Sequence, residues 1–173
     1  AAAFIATGRD YSDFILEMEF LPSGVTNGGV MLCQFPPDGG EPACVELVDL
    51  GTGGTGNTFL WGDGGPFRSV NVPSVRYRPD GEWNSLRLER RSGLISSWVN
   101  GERIHDRFSE ARGRYSVGFQ NYPTEGTIRH RKVRIKDMDS AAAQAPGKGD
   151  TDATGKRNGT LVLYSDDFDS RNE

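Results

Sequence analysis

The carboxylate best suited to chemistry is Glu46, which lies within the apolar run from Cys44 to Val48. Burial among apolar neighbours raises the pKa of a carboxyl group, and a raised pKa suits a general acid or base. The alternative is a glutamate on the solvated face of a strand. We therefore predict Glu46 as the catalytic residue if the chain is an enzyme, which the sequence leaves open.

Other polar and aromatic residues are of the kinds that bind sugars. Three amide side chains are candidates to hydrogen-bond sugar hydroxyl groups: Gln34, Asn84 and Gln120. Trp61 lies in a glycine-rich loop, where its ring would stack on the apolar face of a pyranose. Trp83 and Trp98 lie within strands, where a tryptophan usually belongs to the core. Asn100 precedes a glycine and is predicted as a turn residue. These residues are the candidates for a substrate-binding site.

Three aspartates near the end of the chain, Asp166, Asp167 and Asp169, offer the hard oxygen ligands that Ca²⁺ prefers. They form no EF-hand loop, and an acidic strand end is the alternative. Ca²⁺ is the one cofactor that the sequence suggests. His105 and His130 have no carboxylate at a matching spacing, so we predict surface or packing roles for them. No strand carries the paired carboxylates of a retaining glucanase.

Cys33 and Cys44 lie on predicted neighbouring strands joined by a loop rich in proline and glycine. Either they form a disulfide, which would favour an oxidising compartment, or they are two buried free thiols. With the disulfide, we expect an extracellular or periplasmic protein. Two cysteines without a second ligand pair do not make a zinc site.

Length and charge exclude two classes of partner. The chain has 173 residues and a net charge of −4, and this length is enough for one domain with a sizeable core. No excess of cations is present to neutralise phosphates, so we predict no nucleic-acid partner. No apolar run approaches the roughly 18 residues of a membrane span, so we predict no membrane partner.

Alternation of apolar and polar residues predicts an all-β sandwich. Residues 82–106 have the pattern of three strands joined by the tight turns Ser92-Gly93 and Asn100-Gly101. Further strands are predicted at 11–21, 30–35, 43–50, 113–121, 126–138 and 160–168. In residues 43–50, the predicted faces are Cys44, Glu46 and Val48 on one side and Val45, Leu47 and Asp49 on the other. Residues 51–65 form a glycine-rich loop of the kind that lines sites.

The chain divides into three predicted segments. Residues 1–139 form the β-sandwich core, and residues 140–159 form a flexible linker with no aromatic residue. Residues 160–173 contain a terminal strand that needs a sheet to pair with. This strand would complete the sandwich, swap into a neighbour and so cause self-association through residues 160–169, or start another domain.

Seven segments in this order resemble the 3-keto-disaccharide hydrolase-like family, a branch of the concanavalin A-like lectin/glucanase sandwiches. They are YSDFILEMEF (11–20), NGGVML (27–32), CVELVD (44–49), EWNSLRLE (82–89), SWVNG (97–101), VGFQN (117–121) and RKVRIKDM (131–138). The resemblance implies a concave sheet face that meets sugar. It also implies chemistry on 3-keto-glycosides, in which a base removes the proton next to the ketone and the aglycone is eliminated.

Several residues depart from the family pattern. Cys33 stands where the family has an arginine, Cys44 and Glu46 where it has a glutamate and a glutamine, Tyr122 where it has a histidine, and Lys132 where asparagine is common. Tyr122 therefore joins the predicted substrate-binding residues. The opening strand of the family is missing from the start of the chain. Residues 160–169 resemble it at the other end, as a circular permutation would produce.

We therefore expect a concanavalin A-like jelly-roll sandwich of two antiparallel sheets. Its site is expected on a concave sheet face near Gln34, Glu46, Trp61 and Gln120. The leading hypothesis is a carbohydrate-active domain of the 3-keto-glycoside hydrolase or lyase type. The alternatives are a non-catalytic glycan-binding or adhesion module, which would suit the departures from the family pattern, and a structural assembly domain that uses strand 160–169.

Overall fold

The computed structural model of the chain contains two antiparallel β-sheets. It describes residues 3–34, 43–51, 58–60, 68–70, 77–78, 81–109, 112–122, 125–139 and 160–162. The strands in these ranges are β1 (Ala3–Tyr11), β2 (Phe14–Ser23), β3 (Gly28–Gln34), β4 (Ala43–Asp49), β5 (Thr58–Leu60), β6 (Arg68–Val70), β7 (Asn84–Arg91), β8 (Leu94–Val99), β9 (Glu102–Phe108), β10 (Tyr115–Asn121), β11 (Thr127–Asp137) and β12 (Thr160–Val162). The same ranges contain no helix long and apolar enough to cross a membrane.

Each sheet has six strands in the described part of the chain. The first, which we call sheet A, has the spatial order β1-β10-β3-β4-β5-β6. The second, sheet B, has the order β12-β11-β2-β7-β8-β9. The faces that meet between the sheets are called inner and the opposite faces outer. This arrangement confirms the predicted jelly-roll sandwich.

The core lies between the two inner faces. In β2, alternate residues Phe14, Leu16, Met18 and Phe20 point inward and are at most 3 % exposed. Inward residues of β3, β4, β7, β8, β10 and β11 complete the same apolar cluster. The period-two pattern therefore predicted the burial of β2 correctly, because successive side chains of a strand point to opposite faces.

Two tight turns connect β7, β8 and β9 as predicted. Ser92 and Gly93 have φ angles of 49° and 80°, and Asn100 and Gly101 have 51° and 79°. Positive φ at both turn residues matches the right-handed twist of a hairpin. Asn100 accepts the N–H of Ser85 through its side-chain Oδ1 at 2.9 Å, so its role as a turn residue is confirmed.

A bulge shifts the phase of β4. Leu32 of β3 pairs with Glu46, but the next residue, Cys33, pairs with Cys44, which leaves Val45 as an extra residue. Val45 and Val48 therefore both join the core, whereas the strict alternation predicts them on opposite faces. The predicted faces of β4 are wrong because a bulge has no signature in the period-two pattern.

A second bulge lies in β11. Arg131 pairs with Glu19 of β2 and Arg134 pairs with Glu17, so β11 carries one more residue than β2 in this interval. Lys132 has a φ of 52°, a left-handed conformation that a non-glycine residue rarely adopts. After this point Val133 and Ile135 are the buried residues of the strand. A strict alternation, with Ile128, His130 and Lys132 on one face and Arg129, Arg131 and Val133 on the other, therefore fails beyond Arg131.

Cys33 and Cys44 form a disulfide between β3 and β4, with their Cα atoms 4.0 Å apart. They lie on the outer face of sheet A, where Met31 packs against them. The disulfide alternative is thus confirmed over the two free thiols.

The first and last described strands lie at edges of different sheets. Strand β1 pairs with β10 at the edge of sheet A, although the first predicted strand begins only at Tyr11, because residues 8–10 interrupt the apolar pattern. Strand β12 pairs with β11 at the edge of sheet B. Residues 140–159 and 163–173 lie outside the described residues, so the division into core, linker and terminal strand stays a prediction.

Candidate functional site

One row of residues on the outer face of sheet A has the properties of a binding site. Gln120 of β10 pairs with Gly29 of β3, and Gly29 pairs with Asp49 of β4. Paired residues point to the same face of a sheet, and their neighbours Val30 and Val48 point into the core. Two polar side chains therefore flank a residue that has no side chain, with roughly 10 Å between the outer two strands.

Small residues continue this surface along the strands. The next row contains Gly118 and Met31, and the row after it contains Ser116, Cys33 and Cys44. Met31, Cys33 and Ser116 are at most 6 % exposed, although they lie on the face opposite the core. At the disulfide end of this face, these three side chains are buried and Cys44 is half-buried.

The Gln120 end of the same face is accessible. Gln120 and Asp49 are half-buried, and the side chain of Tyr122, two residues beyond Gln120, is exposed. The Tyr122 N–H donates to the carbonyl of Asn27 at 2.8 Å, which fixes the chain where it leaves β10. A ligand would therefore enter at Gln120 and Tyr122 and meet Asp49 on the other side of Gly29.

The backbones pack closely at this end of sheet A. A Cβ atom on Gly28 would lie 2.2 Å from the carbonyl oxygen of Gln120, and one on Gly51 would lie 2.7 Å from the carbonyl oxygen of Thr26. Real Cβ atoms do not approach other atoms so closely, so only glycine fits at either position. The two glycines let the strands that carry Gln120 and Asp49 approach the neighbouring backbone.

Asp49 is the titratable group of this row. Burial raises the pKa of its carboxyl group, while hydrogen bonds from the backbone N–H groups of Gly51 and Leu50 lower it, and the net effect is a raised pKa. The Gly51 N–H donates to Asp49 Oδ1 at 2.7 Å, which holds the carboxylate in one orientation. A carboxyl group with a raised pKa can exchange a proton with a ligand nearer neutral pH than an ordinary aspartate.

The structure separates two amides that were predicted to share the site. Gln34 lies five residues from Gly29 along β3, which is about 16 Å at the rise of a strand, so it is far from Gln120. Alternation also gives Gln34 the orientation of Val30 and Leu32, toward the inner side, at the exposed end of β3. Gln34 and Gln120 cannot bind one sugar ring together.

Asn84 has a structural environment rather than a ligand-binding one. Its side chain is 0 % exposed. Its Oδ1 accepts the N–H of Arg78 at 2.7 Å and an N–H of the Asn100 side chain at 2.8 Å, and its Nδ2 donates to the carbonyl of Glu82 at 3.1 Å. The amide therefore stabilises the turn before β7, and no part of it reaches a surface where a sugar could bind.

Several predicted site residues fall outside the described part of the structure. For Glu46 only the backbone is described, opposite Leu32 and beside the bulge at Val45. Trp61 and the three aspartates Asp166, Asp167 and Asp169 lie outside the described residues. Among those that are described, no three His, Cys, Asp or Glu side chains gather as a metal site would require.

Trp83 and Trp98 lie on the outer face of sheet B, half-buried beneath arginines. The guanidinium carbon of Arg131 is 3.8 Å from the centre of the Trp83 ring, and those of Arg87 and Arg103 are 5.6 Å and 5.5 Å from the centre of the Trp98 ring. The prediction that both tryptophans belong to the core is wrong, because cations from neighbouring strands cover rings that would otherwise be exposed.

A groove of about 650 Å³ crosses this face of sheet B, between Trp98 and Lys132. Its charges compensate one another. Arg87 bonds to Glu17 and, at 2.9 Å, to Glu89, and Lys132 bonds to Glu19 at 2.9 Å. These charged groups are thus already paired, and the outer face of sheet A remains the better candidate for the site.

Asp49 is the site residue that the sequence interpretation missed. The expected alternation of β4 places it on the face opposite Cys44, and the bulge at Val45 moves both to the outer face. One local signal was present, because an aspartate two residues before a glycine at a strand end is typical of an Asx turn. That signal predicts the hydrogen bond to Gly51 but not the position beside Gly29.

The fold is a jelly-roll β-sandwich of the kind found in glycosyl hydrolases and carbohydrate-binding proteins. The chain belongs to the family of 3-keto-alpha-glucoside-1,2-lyase-like domains, whose pattern matches residues 1–136. The family resemblance inferred from the sequence is thereby confirmed. Among curated proteins, no sequence matches the chain significantly.

Solved structures share this fold at low sequence identity. A "Putative glycosyl hydrolase" of Parabacteroides distasonis superimposes with a TM-score of 0.62 and 16 % identity, over 80 % of this chain and 84 % of that one. The carbohydrate binding module CBM66 of Bacillus subtilis gives 0.53 and 13 %, over 73 % and 78 %. The galectin LEC-6 of Caenorhabditis elegans gives 0.50 and 13 %, over 78 % and 89 %. At these identities the likeness shows the fold alone.

Proposed function

We propose that this domain binds a glycoside at the accessible end of the outer face of sheet A. The observation that carries the proposal is the row Gln120–Gly29–Asp49, in which an amide and a carboxylate face each other across a glycine. The amide and the carboxylate would hydrogen-bond sugar hydroxyl groups, and Tyr122 would supply an aromatic surface beside them. Family membership and the carbohydrate-binding module among the structural neighbours support this proposal.

The location of the protein follows from the same proposal. A disulfide persists in oxidising compartments, and a glycan-binding domain meets polysaccharides outside the cytoplasm. We therefore propose an extracellular or periplasmic protein, with the Cys33–Cys44 disulfide as the supporting observation.

Catalysis on a 3-keto-glycoside is the second candidate function, and Asp49 favours it. Elimination from such a sugar needs a base that removes the proton next to the ketone, and a buried carboxylate of raised pKa fits that role. Glu46 remains the other predicted acid or base. Against turnover, the disulfide occupies the two positions, Cys33 and Cys44, where the family resemblance expects an arginine and a glutamate.

One preparation tested on a glycan array and for turnover of a 3-keto-glucoside separates the two functions. For binding, we expect a glycan signal that Gln120→Ala lowers at least tenfold and that the control Gln34→Ala leaves unchanged, because Gln34 lies at the far end of β3. For catalysis, we expect turnover that Asp49→Asn abolishes. Glycan binding that survives Gln120→Ala and Asp49→Asn together would refute the site, and no binding to any glycan would refute the function.

A structural assembly role is the remaining hypothesis from the sequence. It requires strand 160–169 to pair with a second chain, and it predicts oligomers whose mass depends on concentration and which vanish on deletion of residues 158–173. Sedimentation of the full chain over a hundredfold range of concentration measures this directly.

A further inference from the structure

Strand β11 is long, and β12 pairs with only a short part of its outer edge. β11 runs over residues 127–137, and β12 pairs with it only at Arg134, Ile135 and Lys136. An uncovered strand edge presents unpaired N–H and C=O groups that readily accept another strand. In the described residues nothing pairs with the edge between Thr127 and Val133.

This edge is strongly basic. β11 itself contains five cationic residues, which are Arg129, Arg131, Lys132, Arg134 and Lys136. Arg131 and Lys132 share the single carboxylate of Glu19, at 2.6 Å and 2.9 Å. Arg134 and Lys136 are exposed and have no ion pair with any described residue. The chain as a whole is acidic, with a net charge of −4, so this edge is a local concentration of positive charge. Such an edge favours an anionic partner.

The direction of β12 brings an acidic segment of the same chain to this edge. Thr160 pairs with Lys136 and Val162 pairs with Arg134, so each further residue of the chain moves toward Arg129. The continuation, LYSDDFD, contains three aspartates and no cation. If the pairing continues unshifted, Asp167 comes opposite Arg129. If it skips the extra residue of the β11 bulge, Asp166 does.

We propose that residues 163–169 continue β12 along the edge of β11 and set either Asp166 or Asp167, depending on the register, against its cations. The occupant is this chain's own terminal segment, because β12 already holds it beside the edge and so gives it a high effective concentration. The segment pairs with the free edge of β11 and neutralises part of its positive charge. This inference does not depend on the glycan site, which lies on the other sheet.

Hydrogen exchange of the full chain tests the proposal. The amides of residues 127–133 should exchange at least tenfold faster in Asp166→Lys/Asp167→Lys than in the wild type, because like charges repel the segment from the edge. The control Asp150→Lys/Asp152→Lys makes the same change of charge outside the segment and should leave the exchange unchanged. Adding Arg129→Glu to the first variant should restore protection. Equal exchange in wild type and Asp166→Lys/Asp167→Lys would overturn the proposal.

Cross-linking decides whether the segment comes from the same chain. Zero-length carbodiimide coupling should join Lys132 to Asp166 or Asp167 in an equal mixture of ¹⁴N- and ¹⁵N-labelled protein. We expect cross-linked peptides that carry a single isotope throughout. Peptides that combine both isotopes would mean that a second copy supplies the strand, and the absence of any such cross-link would mean that the edge is empty. Either result contradicts the proposal.

Discussion

Replacing His130 should remove a large part of the acid sensitivity of this fold. His130 lies on β11, with its ring packed against Phe119 at a centroid distance of 5.5 Å. Its Nε2 is buried and has no hydrogen-bond partner among the residues that the structure describes. Burial disfavours the charged imidazolium and lowers the pKa of His130 from 6.5 to about 4. The packing role predicted for this histidine is therefore the one the structure gives it.

The size of the effect follows from proton linkage. Because the pKa of His130 is lower in the folded state, the unfolded chain binds a proton more readily as the pH falls below 6.5. A change from 6.5 to about 4 corresponds to about 3 kcal/mol, at about 1.4 kcal/mol for each pH unit. This stability is fully present at pH 7.5, is lost progressively below pH 6.5, and is gone once the pH reaches about 4.

Urea unfolding of the oxidised protein between pH 7.5 and 4 measures this loss. Between these limits the wild type should lose about 3 kcal/mol more of its unfolding free energy than His130→Leu, which has no titrating group at this position. His105 is the only other histidine of the chain, and His105→Asn serves as the control. Parallel pH curves for wild type and His130→Leu would refute the reasoning, as would a loss that disappears in His105→Asn.

Three further predictions concern stability. Gly28→Ala should cost about 1–3 kcal/mol in thermal unfolding, because its Cβ would lie 2.2 Å from a carbonyl oxygen of β10, whereas Gly8→Ala, with no atom within 4 Å, should change little. Reductant should lower the unfolding free energy by about 2–3 kcal/mol, and a variant with both cysteines replaced by alanine should not respond. Asp139→Asn should cost about 1–2 kcal/mol near pH 7 in urea unfolding, because Asp139 accepts two backbone N–H groups of the β1–β2 turn at 2.7 Å and 3.3 Å. Burial raises the pKa of Asp139, but the two hydrogen bonds and a nearby arginine lower it by more, so its pKa lies below the usual value. The contribution of Asp139 to stability should therefore fade as the pH falls through that lowered pKa.

The sequence predicted the strands whose signals are local. Alternation in β2 and the two positive-φ turns around β8 depend on residues that are neighbours in the chain, so period and turn chemistry were sufficient. Strand β1 was missed because most of its residues lack an apolar alternation, and its place is set by pairing with β10. Such pairing joins residues that are more than a hundred positions apart.

The candidate site was harder to predict for a related reason. Gln120 lies on the outer face of sheet A, and its partner across Gly29 is Asp49, which only the bulge in β4 brings to that face. Asn84 has the right chemistry for sugar binding, but its side-chain amide already hydrogen-bonds to backbone groups before β7. Residue type indicates what a side chain can do, whereas register and burial decide which ligand it meets.

The single extra residue in β11 determines which deletions this strand can accept. Arg131 and Arg134 pair with Glu19 and Glu17, and only Met18 lies between those two residues of β2. Removing Lys132 would leave Val133 opposite Met18, so Val133 and Ile135 would still point between the sheets and the strand would lose only its bulge. Removing a residue from the regular part of the strand would instead turn the side chains beyond it to the opposite face. At Lys132 the fold therefore tolerates a shorter chain, whereas elsewhere in β11 it does not.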